Sequence, residues 1–200
     1  MINETGEIRL SERNDFMSRA IVFIADGLEE CEGLLVVDIL RRAGTEVTTA
    51  SINGTRQVVS SHGITFLTDT TAEEADYEHA DMVILPGGMA GTENLAASDF
   101  VKARCLEFAA GKKAAAICAA PTVLAGLGLL EGKKATCHPG VEAGMRGAEL
   151  THTPVVVAGN ITTGQALGAA IPFALELARQ LEGEEAAERV RKAICWEGKH

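Results

Sequence analysis

Short runs of consecutive apolar residues, separated by stretches with helical spacing, constrain this 200-residue chain more than any other feature. Ile21–Ala25, Met82–Leu85, Ala114–Ile117 and Val155–Ala158 are each apolar without alternation. A strand that shows one face to water alternates apolar and polar residues. A continuous run fits a strand buried on both faces. Helical segments fall between the runs. Glu29–Ala43 reads as a helix, with Leu28, Cys31, Leu35 and Ile39 on its buried stripe and Gly44 as its C-terminal stop. Glu46–Ile52 is a β-branched strand ended by Asn53-Gly54, and residues 57–68 read as a polar strand or loop. Thr71–Ala80 reads as a short acidic helix. Ser98 caps a helix over Asp99–Ala110 that Gly111 ends. Pro121 to about Leu127 is helical, Ala135–Cys137 is a short strand, and two helices over about Ala166–Leu181 and Glu184–Ile194 finish the chain. The alternation implies an α/β fold, in which a mainly parallel sheet is covered by helices on both faces.

Charge and cysteine usage exclude several classes. Lys and Arg number 18 against 28 Asp and Glu, a net charge of −10. A field of that sign opposes nucleic acid and anionic membranes, so neither is an expected partner. No apolar run is long enough to span a bilayer, and the polar start lacks the basic and apolar regions of a signal peptide, which points to the cytoplasm. Residues 1–18 read as a polar N-terminal tail, and residues 19–200 as a single domain. Cys31, Cys105, Cys118, Cys137 and Cys195 show no CxxC spacing, so neither a disulfide framework nor a metal site is expected. No phosphate-binding loop, dinucleotide fingerprint or serine-nucleophile motif is present, and no cofactor is expected.

In a parallel sheet of this kind, ligand chemistry collects at the carboxyl ends of the strands. Asp26-Gly27 with Glu29, Glu30 and Glu32 follows the first strand, Pro86-Gly87-Gly88 the third, and Cys118 the next, while His138 ends a short strand beyond. Cys118 lies between a buried strand and a helix whose first turn holds Pro121. A cysteine there faces a helix N-terminus, where the dipole favours the thiolate. The competing reading is a small inert core hydrophobe. A working nucleophile also needs donors for a developing oxyanion, and the backbone N–H groups beside Gly88 and of Ala119 are the candidates. Glu32, one residue after Cys31, is positioned to be partly buried, protonated and hydrogen-bonded to the sulfur. His138 is a candidate proton shuttle.

Taken together, Ala115–Thr122, Val83–Gly88, Glu29–Glu32 leading into Asp38–Gly44, and Cys137–Pro139 resemble the ThiJ/PfpI superfamily, in particular the branch of the Parkinson-disease protein deglycase and its bacterial relatives. The resemblance runs from about Ala20 to Ile194. It implies a flavodoxin-like three-layer αβα sandwich, usually a homodimer. It also implies that Cys118 is the oxidation-prone elbow cysteine, Glu32 the acid bonded to its sulfur, His138 the nearby histidine, and Gly88 and Ala119 the backbone donors. Ala119 stands where the protease-like branch has histidine, which counts against a peptidase. The family's Gly-Pro-Gly-Thr element appears as Ala166–Ala169. The implied activity is a cofactor-free, glutathione-independent glyoxalase or deglycase acting on methylglyoxal-type dicarbonyls. The alternative is an oxidative-stress sensor or redox-regulated chaperone using the same cysteine.

Overall fold

Three of the four apolar runs become strands buried on both faces, whereas Val155–Ala158 is a half-buried edge strand with Val157 exposed, because it has a neighbour on one side only. The computed structural model describes residues 17–198, so all but the last two residues of the expected tail over residues 1–18 lie outside the described residues. Strand β1 (Arg19–Ile24) leads into helix α1 (Glu30–Ala43) and β2 (Glu46–Ser51). A ribbon of β3 (Gln57–Val59) and β4 (Thr65–Leu67) follows, then β5 (Thr70–Thr71) and β6 (Met82–Leu85). Helices α2 (Met89–Ala97) and α3 (Asp99–Gly111) precede β7 (Lys113–Ile117) and α4 (Pro121–Gly126). A small pair, β8 (Lys134–Ala135) and β9 (Glu149–Leu150), leads to β10 (Val155–Ala158), β11 (Ile161–Gly164), α5 (Ala170–Glu182) and α6 (Glu184–Ala193). The main sheet has the order β10-β11-β7-β6-β1-β2-β5. All its pairs are parallel except β10 with β11 at one edge.

Alternate residues of one run enter different cores, because side chains alternate across a strand. Ile21, Phe23, Val83, Leu85, Ala114 and Ala116 join one core with Leu95, Val101, Phe108 and Leu124 of α2, α3 and α4. Ala20, Val22, Ile24, Met82, Ile84, Ala115 and Ile117 join the other with α1, α5 and α6. The chain is therefore a three-layer αβα sandwich. No described helix is long and apolar enough to cross a membrane.

Four expectations change. Cys31 is exposed, not on the buried stripe of α1; the buried residues are Glu30, Glu32, Gly33, Val36, Val37, Ile39, Leu40 and Ala43. The helix is rotated so that Glu32 occupies the core-facing position. The acidic helix over Thr71–Ala80 is only a 3₁₀ turn at Ala72–Glu74. The chain then extends to insert Tyr77 beside Phe23 and Phe108, where its hydroxyl donates to the Ala72 carbonyl at 2.8 Å. Helix α2, unmarked by a clear apolar stripe, was not anticipated. It contains Gly91, where a Cβ would lie 2.7 Å from Leu28 Cα. Finally, α5 begins at Ala170 rather than Ala166. Pro172 then falls in the first turn, where its missing N–H costs no helical bond.

Candidate active site

At the end of β7 the backbone reverses the alternation that the strand sets up. Ile117 points to the α1–α5–α6 core, so the next side chain in an extended strand would face the opposite layer. Cys118 instead has φ +65°, in the left-handed region that residues with a Cβ seldom occupy. Its side chain packs on the same layer as Ile117, over the start of α1. The turn is pinned on both sides: the Cys118 N–H donates to the Gly164 carbonyl at 3.0 Å, and its carbonyl accepts from the His138 N–H at 2.8 Å. Left-handed backbone at such a residue costs about 1–2 kcal/mol. Strain held at a thiol between strand and helix makes this position a candidate functional site.

Glu32 reaches the same place from α1. Glu29 precedes the helix, and its Oε2 accepts from the Glu32 N–H at 2.7 Å. This fixes the first turn and directs Glu32 inward, where it is 1% exposed. Neither carboxyl oxygen has a regular hydrogen bond among the described residues. The Cys118 thiol and the Gly87 N–H are close enough to favour its ionised form, yet burial dominates. Burial, aided by the Glu29 charge, pushes Glu32 up to about 7. A carboxyl group there exchanges its proton near neutral pH.

Cys118 departs from the expected low-pKa thiol. Burial and then the Glu32 charge and hydrogen bond push it up to about 12, while the N–H groups of Gly88 and Ala119 act in the opposite sense. Helix α4 is only six residues long, so its dipole is short. The repulsion from Glu32 vanishes once Glu32 takes a proton. The neutral acid then becomes a donor toward sulfur, and the proton that enters or leaves the pair near neutral pH is the one on Glu32.

Gly87 and Gly88 are required by this crowding. A Cβ on Gly87 would sit 2.5 Å from Cys118 Cβ and 3.0 Å from the Ile117 carbonyl oxygen, and would collide with the Glu32 carboxyl. Gly88 has φ +93°, and a Cβ there would meet Glu29 N and Gly27 O at 2.5 Å. The backbone can therefore bring the Gly88 N–H against the sulfur only because both side chains are absent. The two backbone donors and Glu32 thus converge on Cys118.

His138 is brought near only by its main chain. Its ring is exposed, and Nδ1 accepts from the Gly140 N–H at 3.0 Å, capping the turn over Pro139–Gly144. That bond leaves Nε2 as the position carrying hydrogen. Cys137 lies in the core across the sheet from Cys118. All five cysteines are free. Sequence spacing did not mark His62, which pairs with Glu30 at 2.8 Å. Together with Glu29 these groups bring possible metal-ligating atoms within 4.8 Å of one another.

The DJ-1/PfpI family model matches residues 18–180. The chain belongs to the DJ-1/PfpI family. It is 37% identical over 182 residues to the Parkinson disease protein 7 homolog of Danio rerio, covering 88% of this chain and 96% of that one. It is 31% identical over 153 residues to a deglycase of Pyrococcus abyssi, covering 75% of this chain and 91% of the relative. The crystal structure of Drosophila melanogaster DJ-1beta superposes with a TM-score of 0.86 at 36% identity, covering 90% of this chain and 98% of that one. The flavodoxin-like arrangement of a DJ-1 protein is thus shared, and the family places this chain among proteins with a DJ-1-type function.

Proposed function

We propose that the protein is a cofactor-free, glutathione-independent glyoxalase, with deglycase action on early adducts of the same dicarbonyls. The observation that carries this reading is the buried pair of Cys118 and Glu32, held under two backbone donors with one exchangeable proton near neutral pH. Ionised Glu32 takes the Cys118 thiol proton as the sulfur attacks the aldehyde carbon of methylglyoxal and passes it to the aldehyde oxygen, so a hemithioacetal forms and Glu32 is again ionised. Gly88 and Ala119 N–H groups hold the oxygen while it is negative. Ionised Glu32 removes the proton from C1, and the C2 oxygen is protonated to give an enediol. Proton return at C2 leaves a thioester at C1. Water hydrolyses it, releasing lactate and the thiol, so the sum is methylglyoxal plus water to lactic acid. His138, with a hydrogen-bearing Nε2 at the exposed side, is the proposed carrier of protons to solvent. Ala119 supports a role other than peptide hydrolysis.

The test is methylglyoxal loss and lactate formation without glutathione, comparing the reduced protein with Cys118→Ala. Turnover that depends on Cys118 is expected. An inactive, freshly reduced wild type would overturn the proposal.

A second reading, an oxidative-stress sensor or redox-regulated chaperone, is favoured by one specific feature. A neutral Glu32 with unsatisfied oxygens beside Cys118 is placed to donate to a sulfinate formed by a peroxide. Peroxide oxidation without dicarbonyl turnover is its signature. We also infer a homodimer in the cytoplasm. Leu34 (41% exposed) on α1 and Ile64 and Leu67 (51% and 68%) on the neighbouring ribbon support a self-association surface, and sedimentation velocity tests it.

A further inference from the structure

Two walls of the Cys118 site are fastened to one residue that the mechanism above does not use. The Glu29 N–H donates to the Gly87 carbonyl at 2.9 Å. A Cβ on Gly88 would meet Glu29 N at 2.5 Å, so the loop that presents the Gly88 N–H to the sulfur lies against the Glu29 main chain. The Glu29 side chain reaches along α1, where Oε2 accepts from the Glu32 N–H at 2.7 Å. The residues before Glu29 are clamped from outside. The Gly27 N–H donates to the Val59 carbonyl at 2.8 Å, and Asp26 Oδ1 accepts from the Val59 N–H at 2.8 Å. Asn94 Nδ2 of α2 donates to the Asp26 carbonyl at 2.9 Å.

Helix capping alone does not call for glutamate here. Serine, threonine, aspartate and asparagine cap best, and serine or threonine would do so without charge. A negative charge at a helix start is favourable in itself, but Glu30 already supplies one in the first turn. The carboxylate of Glu29 stands instead where it opposes ionisation of the buried Glu32.

We propose that Glu29 is the positioning residue of the Cys118 site: its main chain seats the Gly87–Gly88 loop, and its carboxylate aims Glu32 and favours the neutral form of that acid. Glu32 is faced by Glu29 on its own helix, by the Cys118 thiol at the end of β7 and by the Gly87 N–H after β6. Of these, Glu29 brings the charge. Glu29 in turn faces Glu30 and, from the β3–β4 ribbon, His62, with one side-chain atom of each within 4.8 Å of the others.

The experiment compares the full chain as wild type, Glu29→Gln and Glu29→Ala. Glutamine keeps an oxygen for the Glu32 N–H and drops the charge, whereas alanine drops both. Glu32 is titrated directly by carboxyl ¹³C NMR, its signal assigned by its loss in Glu32→Gln. In Glu29→Gln the Glu32 proton is expected to bind about threefold more weakly. Methylglyoxal kcat in that variant should stay within about threefold of wild type, with the acid limb of its pH profile moved to lower pH. Glu29→Ala should lose about tenfold or more in kcat with little change in KM, because Glu32 is no longer aimed. An unmoved Glu32 titration in Glu29→Gln, or a wild-type kcat in a folded Glu29→Ala, would overturn the inference and leave Glu29 an ordinary cap. If the alanine variant does not fold, the titration of the glutamine variant decides by itself. The rate measurements rest on the glyoxalase reading. No turnover by the reduced wild type would overturn that reading, and the Glu32 titration would still decide the inference.

Discussion

Glu32 should make the protein less stable as the solution turns alkaline, and Glu32→Gln should remove that dependence. Burial raises the carboxyl from its ordinary 4.5 to about 7 in the folded protein. The folded state therefore binds a proton that the unfolded chain releases. A raised acid contributes stability that is fully present below the unfolded value near 4.5, and that contribution is lost as pH rises through about 7. Each tenfold in proton affinity corresponds to about 1.4 kcal/mol, so the full span is worth roughly 3 kcal/mol, most of which lies between pH ~5 and ~8.5. The Cys118 thiol, pushed up to about 12, stays protonated across that range and adds no slope. Urea unfolding of wild type and Glu32→Gln at a series of pH values isolates the effect, because groups common to both proteins cancel in the difference. The variant should gain on the wild type by roughly 2–3 kcal/mol from the acid end to the alkaline end. A difference that stays constant with pH would refute the burial argument and, with it, the neutral-acid role assigned to Glu32.

Gly87→Ala should lose turnover and about 1–3 kcal/mol of stability, since the added methyl occupies space held by Cys118 and Glu32; normal activity in that variant would show the site to be looser than described. Cys118→Gly and Cys118→Ala should both be inactive, but the glycine form should melt higher, by up to about 1 kcal/mol in stability, because it alone adopts φ +65° without strain. A lower melting point for the glycine form would argue against stored backbone strain. His138→Ala should slow turnover while costing about 1 kcal/mol or less, the worth of the cap its Nδ1 provides to Gly140; an unchanged rate would remove it from the proton path.

Most of the layer architecture could be read from the apolar runs, because burial on both faces erases alternation in the strand itself. Glu32 was also legible, by a signal different from the one followed. Counting the stripe from Glu32 through Val36, Ile39, Leu40 and Ala43 gives helical spacing with a carboxylate at its head, whereas counting from Cys31 puts a thiol in the core. What could not be read was the direction of the Cys118 side chain. Periodicity assigns it to the other face of the sheet, and only a left-handed backbone residue overrides it. Nor does spacing reveal Tyr77, whose aromatic contacts draw residues 75–81 out of a helix, or the height of the thiol pKa. That height depends on desolvation from residues far apart in the chain.

The separation of the two cores has a consequence for the history of the molecule. Cys137 is the neighbour of His138, whose backbone touches Cys118, yet its sulfur lies across the sheet from the reactive one. A sulfenic acid at Cys118 therefore cannot be closed into a disulfide by Cys137 without turning a strand end inside out. Each further oxygen is added to a sulfur that this neighbour cannot rescue, and beyond the sulfenic stage that ladder does not run backwards unaided. On the redox-sensor reading proposed above, a chain carried to the sulfinic stage keeps that mark unless a dedicated reductase removes it.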